Sequence, residues 1–279
     1  MDLGLVRALA VIIALLAVTR AAAAAPELVE VPEGSIRLKS YLYRPAGEGP
    51  FPAIVALHGC GGLAGRSGPV AGRYRDWGER LAAAGFVVLF PDSFGSRGLS
   101  SQCSVRERSV RTARERVADA VAARRWLQNQ GWVVAKHVSL LGWQNGGGAA
   151  LWTVRRHARV GADGGPDFRS AVALYPGCRT LRQSEWSARV PTLVLVGAAD
   201  DWAPASACQQ MVASARGRSA QTQIVVYPGA YSEFDHPNKP VGQLTGLAFS
   251  ADNSGRAHSG TNPAARADAI KRVPAWLAR

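Results

Sequence analysis

The sequence predicts one three-layer α/β domain, with a mostly parallel central sheet, helices on both faces and no obvious lid domain. Three observations predict it. Short β-type runs alternate with helix-length segments along nearly the whole chain. Several of those runs are continuous Val/Ile/Leu/Ala, as strands buried on both faces require. The chain has 279 residues, with no Pro/Ser-rich linker and no internal repeat. That length suits one large core and is short for two.

At the start, Met1 to Arg7 carries a single arginine, 8–18 is unbroken apolar sequence, and Ala21 to Ala25 supplies small residues. This is the pattern of an export signal. The apolar run is shorter than the roughly 20 residues that cross a bilayer. Residues 1–25 are therefore expected to be a leader, cut near Ala24 or Ala25 because Pro26 is a poor first residue beyond the bond. Residues 26–279 would be the secreted or periplasmic domain, without a transmembrane span after cleavage. An uncleaved anchor or a buried N-terminal helix is the competing reading.

Strands are expected at 36–42, 53–57, 86–90, 138–141, 171–174, 192–196 and 223–226, each a short apolar or β-branched run. Helices are expected at 70–84, 105–130, 145–157, 204–216 and 263–277. Alternation of this kind implies right-handed crossovers, with ligands bound beyond the carboxyl ends of the strands. The net charge is +13, almost entirely arginine, since only Lys39, Lys136, Lys239 and Lys271 are lysines. The cations are scattered. The densest run, 106–116, has Val110, Ala113, Val117, Ala120 and Val121 at helical spacing, the profile of a solvated amphipathic helix. No nucleic-acid partner is therefore expected.

Four cysteines in an exported chain favour disulfides, and no Cys/His spacing suits zinc, so no metal is expected. Three pairings are open. Cys178 with Cys208 is preferred because both sit just beyond strand ends, which leaves Cys60 and Cys103 as a second pair or two free thiols.

Chemistry gathers at the carboxyl ends of the expected strands. After 53–57 comes His58-Gly59-Cys60-Gly61-Gly62, a glycine-rich turn able to aim backbone N–H groups, around Cys60 and Gly61, at a ligand oxygen. After 138–141 comes Gly142-Trp143-Gln144-Asn145-Gly146-Gly147, laid out as G-x-S-x-G between a strand and a helix. Glutamine stands where that motif carries its nucleophile. Gln144 has no ionisable proton and a delocalised amide nitrogen, yet it donates and accepts hydrogen bonds well. The Asn145 N–H is the expected second backbone donor, and Trp143 is a candidate pocket wall. After 192–196, Asp200 and Asp201 precede Pro204. Asp200 fits the acid of a triad better, and either acid also suits a helix cap. After 223–226, Tyr227-Pro228-Gly229-Ala230-Tyr231-Ser232 ends with serine where a triad base belongs.

Together these pieces, with Pro91-Asp92-Ser93-Phe94-Gly95 and Tyr175-Pro176-Gly177-Cys178, resemble the dienelactone hydrolase family of α/β-hydrolases over most of the mature chain. The resemblance implies an α/β-hydrolase fold and small ester or lactone substrates opened through an acyl-enzyme, without cofactor or metal. It also implies serine or cysteine at position 144, an acid at 200 and histidine at 232. Only Asp200 matches. The leading expectation is a catalytically impaired relative that holds a small ester, lactone or carboxylate through backbone donors and Gln144. A working esterase or lactonase with a relocated nucleophile such as Cys60, served by His236 or His258, is the alternative. A scaffold used only for protein contacts is a third.

Overall fold

A computed structural model describes residues 25–65, 68–157 and 164–279. In chain order the elements are β1 (Glu27–Glu33), β2 (Ile36–Tyr43), β3 (Phe51–Leu57), α1 (Gly72–Ala83), β4 (Val87–Pro91), α2 (Glu115–Gln128), β5 (Val133–Trp143), α3 (Asn145–Thr153), β6 (Ala171–Leu174), α4 (Arg179–Gln183), β7 (Thr192–Gly197), α5 (Ala205–Ser214), β8 (Thr222–Tyr227), β9 (Gly242–Leu244), β10 (Ala257–Ser259) and α6 (Pro263–Leu277). The expected leader falls, apart from Ala25, outside the described residues. Among the described residues no helix is long and apolar enough to cross a membrane.

Eight strands form one sheet in the order β1-β2-β4-β3-β5-β6-β7-β8. β1 and β2 run antiparallel to their neighbours, and every pairing from β4 to β8 is parallel. The continuous apolar runs follow from burial on both sides. Ala53, Val55 and Leu57 of β3 point into one layer with Ala120, Leu127, Ala150 and Met211. Ile54 and Ala56, one residue out of phase, point into the other with Trp77, Leu81, Val273 and Trp276. Successive strand side chains alternate faces, so a strand covered twice has no polar face to show. Helices α2, α3 and α5 thus cover one face and α1 and α6 the other.

Two departures from the sequence reading matter for the site. β1 escapes the apolar-run criterion because it is an edge strand with only Val31 fully buried. More importantly, α2 begins at Glu115 rather than at 105, and its inward face is not the one expected. Glu115 turns back to accept from the Arg111 backbone N–H at 2.8 Å and from its guanidinium, which suits a turn before the helix. The buried positions are then Arg116, Asp119, Ala120, Ala122, Ala123, Arg124 and Leu127, while Val117 and Val121 are only half-buried and Ala113 is exposed. Arg116 is not a solvated surface cation. It is fully buried behind the cavity described next.

Candidate functional site

The elbow is built as the sequence suggested. Gln144 closes the β5–α3 turn at φ 52° and ψ −113°, a strained conformation for a residue with a Cβ. Two glycines make the turn possible. A Cβ on Gly142 would run into the Gly146 carbonyl, and one on Gly146 into the Leu57 carbonyl. The Gln144 N–H donates to the Leu174 carbonyl at 2.9 Å, and its own carbonyl accepts from the Gly148 N–H at 2.9 Å.

What the glutamine does there was not legible in the sequence. Its Oε1 accepts from the Cys60 N–H at 2.7 Å and from the Asn145 N–H at 2.8 Å. Two backbone N–H groups converging on one oxygen at these distances have the geometry that oxyanion-hole donors present to a developing oxyanion. The carboxamide oxygen occupies the point where they converge. Two N–H groups facing one atom also settle which end of the amide is oxygen. On the first loop the Cys60 N–H is the donor to Gln144, and Gly61 is exposed.

Several buried groups fix this arrangement. His58 is completely buried, its Nδ1 against the Gly59 carbonyl at 2.8 Å and its Nε2 accepting from the Ser93 N–H at 3.2 Å. Burial and the nearby Arg116 cation hold its pKa well below the ordinary histidine value, so the ring is neutral and structural. Arg116 donates to the His58 carbonyl at 2.6 Å and to Asn145 Oδ1 at 2.8 Å, tying both hole-forming segments together. Its burial lowers its own pKa to about 10. Asn145 Nδ2 donates to Thr112 Oγ1 at 2.7 Å.

The acid and base positions also meet. Asp200 Oδ1 accepts from the N–H groups of Trp202 and Ala203, so Asp200 caps the loop as well as facing position 232. Its Oδ2 accepts from Ser232 Oγ at 2.7 Å. Burial pushes the Asp200 carboxyl up to about 6, and the bonds from Ala203 and Ser232 limit the rise. Ser232 is fully buried, so it offers a ligand nothing.

In front of the elbow lies a cavity of about 280 Å3. Its walls include Gln144, Asn145, Arg108, Arg179, Trp202 and Phe249. No carboxylate and no histidine lines it, and neither arginine makes an ion pair among the described residues. Arg108 instead spends its Nε on the carbonyls of Gln102 and Val105. Burial lowers its pKa from the ordinary arginine value, and Phe249 packs under its guanidinium at 5.4 Å. Sequence reasoning missed both arginines: Arg108 lay in a run read as solvated, and Arg179 carried no signal. A wider groove of about 610 Å3 runs beside β1 and α2 and contains no elbow residue.

Other candidates lie elsewhere. Trp143 is fully buried and is a core residue, not a cavity wall; its Nε1 donates to Asp235 Oδ2 at 2.8 Å. Asp235 also accepts from Trp77 Nε1 at 2.7 Å and Tyr175 OH at 2.6 Å, which locks the loop after Ser232 to the elbow strand. His236 is half-buried, accepts from the Asn238 N–H at 3.2 Å and does not reach the cavity. Burial lowers its pKa, as does Arg73. His258, on β10, is held by Asp201 at 2.7 Å and is likewise absent from the cavity wall. Cys60 is bonded to Cys103 and Cys178 to Cys208, so a Cys60 thiolate first requires reduction of its bridge. Among the described residues no group of three or more His, Cys, Asp or Glu is placed to hold a metal.

With this geometry in view, the comparisons with known proteins are direct. The model of the dienelactone hydrolase family matches residues 38–279. The chain belongs to the dienelactone hydrolase family. Solved structures with the same fold include a putative dienelactone hydrolase from Klebsiella pneumoniae, 20% identical, covering 91% of this chain and 98% of that one at a TM-score of 0.67. A dienelactone hydrolase-like promiscuous phosphotriesterase from metagenomic libraries is 18% identical, covering 92% and 98% at 0.66. Esterase 2 of Thermogutta terrifontis, phosphoramylated by tabun, is 19% identical, covering 91% and 94% at 0.63. The search of curated proteins found no match. As a dienelactone hydrolase family member, this chain has Gln144 at its strand-to-helix elbow and Ser232 bonded to Asp200.

Proposed function

We propose that this protein is an exported, catalytically impaired member of the dienelactone hydrolase family that binds a small carboxylate or acyl compound. The observation that carries the reading is the seating of Gln144 Oε1 between the Cys60 and Asn145 N–H groups. Loss of the nucleophile alone costs a serine hydrolase about a million-fold in turnover, and an unhindered oxyanion hole still returns roughly a thousand-fold over water. Here the hole already holds an oxygen, so that residual assistance is withdrawn too.

The same amide supports a binding role. With Oε1 fixed, Nε2 is the hydrogen-bonding end that a cavity-lining Gln144 has left to offer, polarised by the two donors behind it. Arg108 and Arg179 add positive charge to a cavity that no carboxylate lines among the described residues, which favours an anion. Trp202 and Phe249 add apolar wall. The two disulfides fit an oxidising compartment, and with it the leader expected at residues 1–25. An active hydrolase using Cys60 is the weaker reading, because that sulfur is spent in a disulfide.

Hydrolysis of short activated esters and lactones by the mature protein and by a Gln144→Ser/Ser232→His double variant tests the proposal. The expected result is an inert native protein and a variant at least ~100-fold more active, since fold, acid and hole remain. Native activity equal to the variant's would overturn the impaired reading.

A further inference from the structure

The four cysteines are not equivalent with respect to the cavity. Cys178 and Cys208 are both buried, at 2% and 0% exposure, although Cys178 borders the cavity. Cys60 is buried at 2%. Cys103 alone is partly open, and it lines the cavity together with Arg108 and Gln144. Of the two cysteines on the cavity wall it is thus the more accessible to a thiolate, and it shares that wall with a guanidinium that makes no ion pair among the described residues.

We propose that Cys103 is a thiol-exchange site for small thiols that carry a carboxylate. The reading rests on the anion-binding character of the cavity argued above. Thiol–disulfide exchange depends on access to the attacked sulfur and on the local supply of thiolate. The cavity answers both, since positive walls concentrate anions. The carboxylate would dock on Arg108 and the Gln144 amide, and the thiolate sulfur would attack Cys103 Sγ. A new S–S bond forms between the incoming sulfur and Cys103. The Cys60–Cys103 bond breaks, its electron pair leaves on Cys60 Sγ, and water protonates that thiolate. The incoming sulfur is oxidised to the disulfide level and Cys60 is reduced. Attack of the Cys60 thiolate on Cys103 Sγ reverses the capture, re-forming the bridge and expelling the small thiolate. Attack of a second small thiolate on the incoming sulfur instead releases Cys103 as a thiolate, carries off the two small thiols as their disulfide and leaves both cysteines reduced.

Exchange here also acts on the hole. The Cys60 N–H holds Gln144 Oε1, and the Cys60 carbonyl accepts from the Gln102 N–H at 2.8 Å beside the bridge. Opening the bridge removes the covalent tie between the hole-forming loop and the 100–112 segment that carries Arg108 and Thr112. The site reads as redox-responsive for that reason.

The test treats the oxidised mature protein with mercaptoacetate, 2-mercaptoethanol or cysteamine at equal thiolate concentration, and reads adducts by intact mass and peptide mapping. The expected result is a single adduct on Cys103, formed about tenfold faster with mercaptoacetate than with cysteamine. Arg108→Gln should abolish that preference, and saturating propionate should protect Cys103 in the native chain. Adducts on Cys178 or Cys208, or equal rates for the anionic and cationic thiols in native protein, would overturn the proposal. Protein that binds propionate, seen by calorimetry, yet forms no Cys103 adduct would refute the exchange site and leave the binding function standing. Absence of propionate binding would refute the binding function itself.

Discussion

The two altered corners of the site solve the same problem in opposite ways. On the elbow side, a longer side chain reaches forward and fills a hole lined by backbone donors. On the acid side, a short hydroxyl takes the free oxygen of Asp200 and is sealed from solvent. Each substitution leaves its polar neighbours satisfied. Buried donors and acceptors without partners are costly. Glutamine and serine keep these hydrogen bonds made, and on the proposed reading they do so without supplying a nucleophile or a base.

The most damaging single change cuts the link between the corners. Asp235 joins the Trp77 and Trp143 indoles to the Tyr175 hydroxyl in the core. Asp235→Ala strands three buried donors, and urea unfolding should show a loss of roughly 3–5 kcal/mol. A loss below about 1 kcal/mol would mean that the two corners are held independently.

Next in size is a pH effect confined to the acid corner. Asp200 titrates in the folded chain near 6, above its ordinary value of 3.8, because of burial. A raised carboxyl favours folding below its unfolded pKa, and that contribution is lost as pH rises through the folded value. Against an Asp200→Asn variant, native stability should fall by about 3 kcal/mol between pH 4 and pH 7. A flat difference across that window would show that the Ser232 and backbone bonds cancel the burial.

Removing the two substituents one at a time gives the smallest effects and separates the corners. Ser232→Ala leaves Asp200 Oδ2 without its donor in a sealed site and should cost about 1–3 kcal/mol at pH 7. Gln144→Ala leaves the Cys60 and Asn145 N–H groups facing a cavity that admits water, and should cost less than about 1 kcal/mol. The reverse order in thermal unfolding would contradict the assignment of one corner as buried and the other as open.

The same contrast explains what was readable beforehand. The parallel strands were visible because burial on both faces forces unbroken apolar runs such as 192–196. The elbow was visible because Gly142 and Gly146 are required by close backbone approach. The plug was not: Gln144 announces a missing nucleophile, but only folding brings Cys60 within 2.7 Å of its amide oxygen. Arg116 and Arg108 were misread together, since helical periodicity cannot distinguish a cation facing water from one bonded to buried carbonyls. A place beside the elbow suits Trp143 to the cavity wall or to the core about equally, and the alternation of β5 sends it to the core.

A hole filled by its own chain has a competitive consequence. A substrate carbonyl entering an ordinary hydrolase displaces mobile water, whereas one entering this hole must displace a tethered amide. Tethering gives that amide a high effective concentration, of order millimolar for a short flexible link and far above that for a rigid one. On the proposed binding function, ligands that demand the hole are thus disfavoured, and those that accept a donor from Gln144 Nε2 and leave Oε1 in place are favoured. Position 144 would then sort compounds by which end of an amide they prefer to meet.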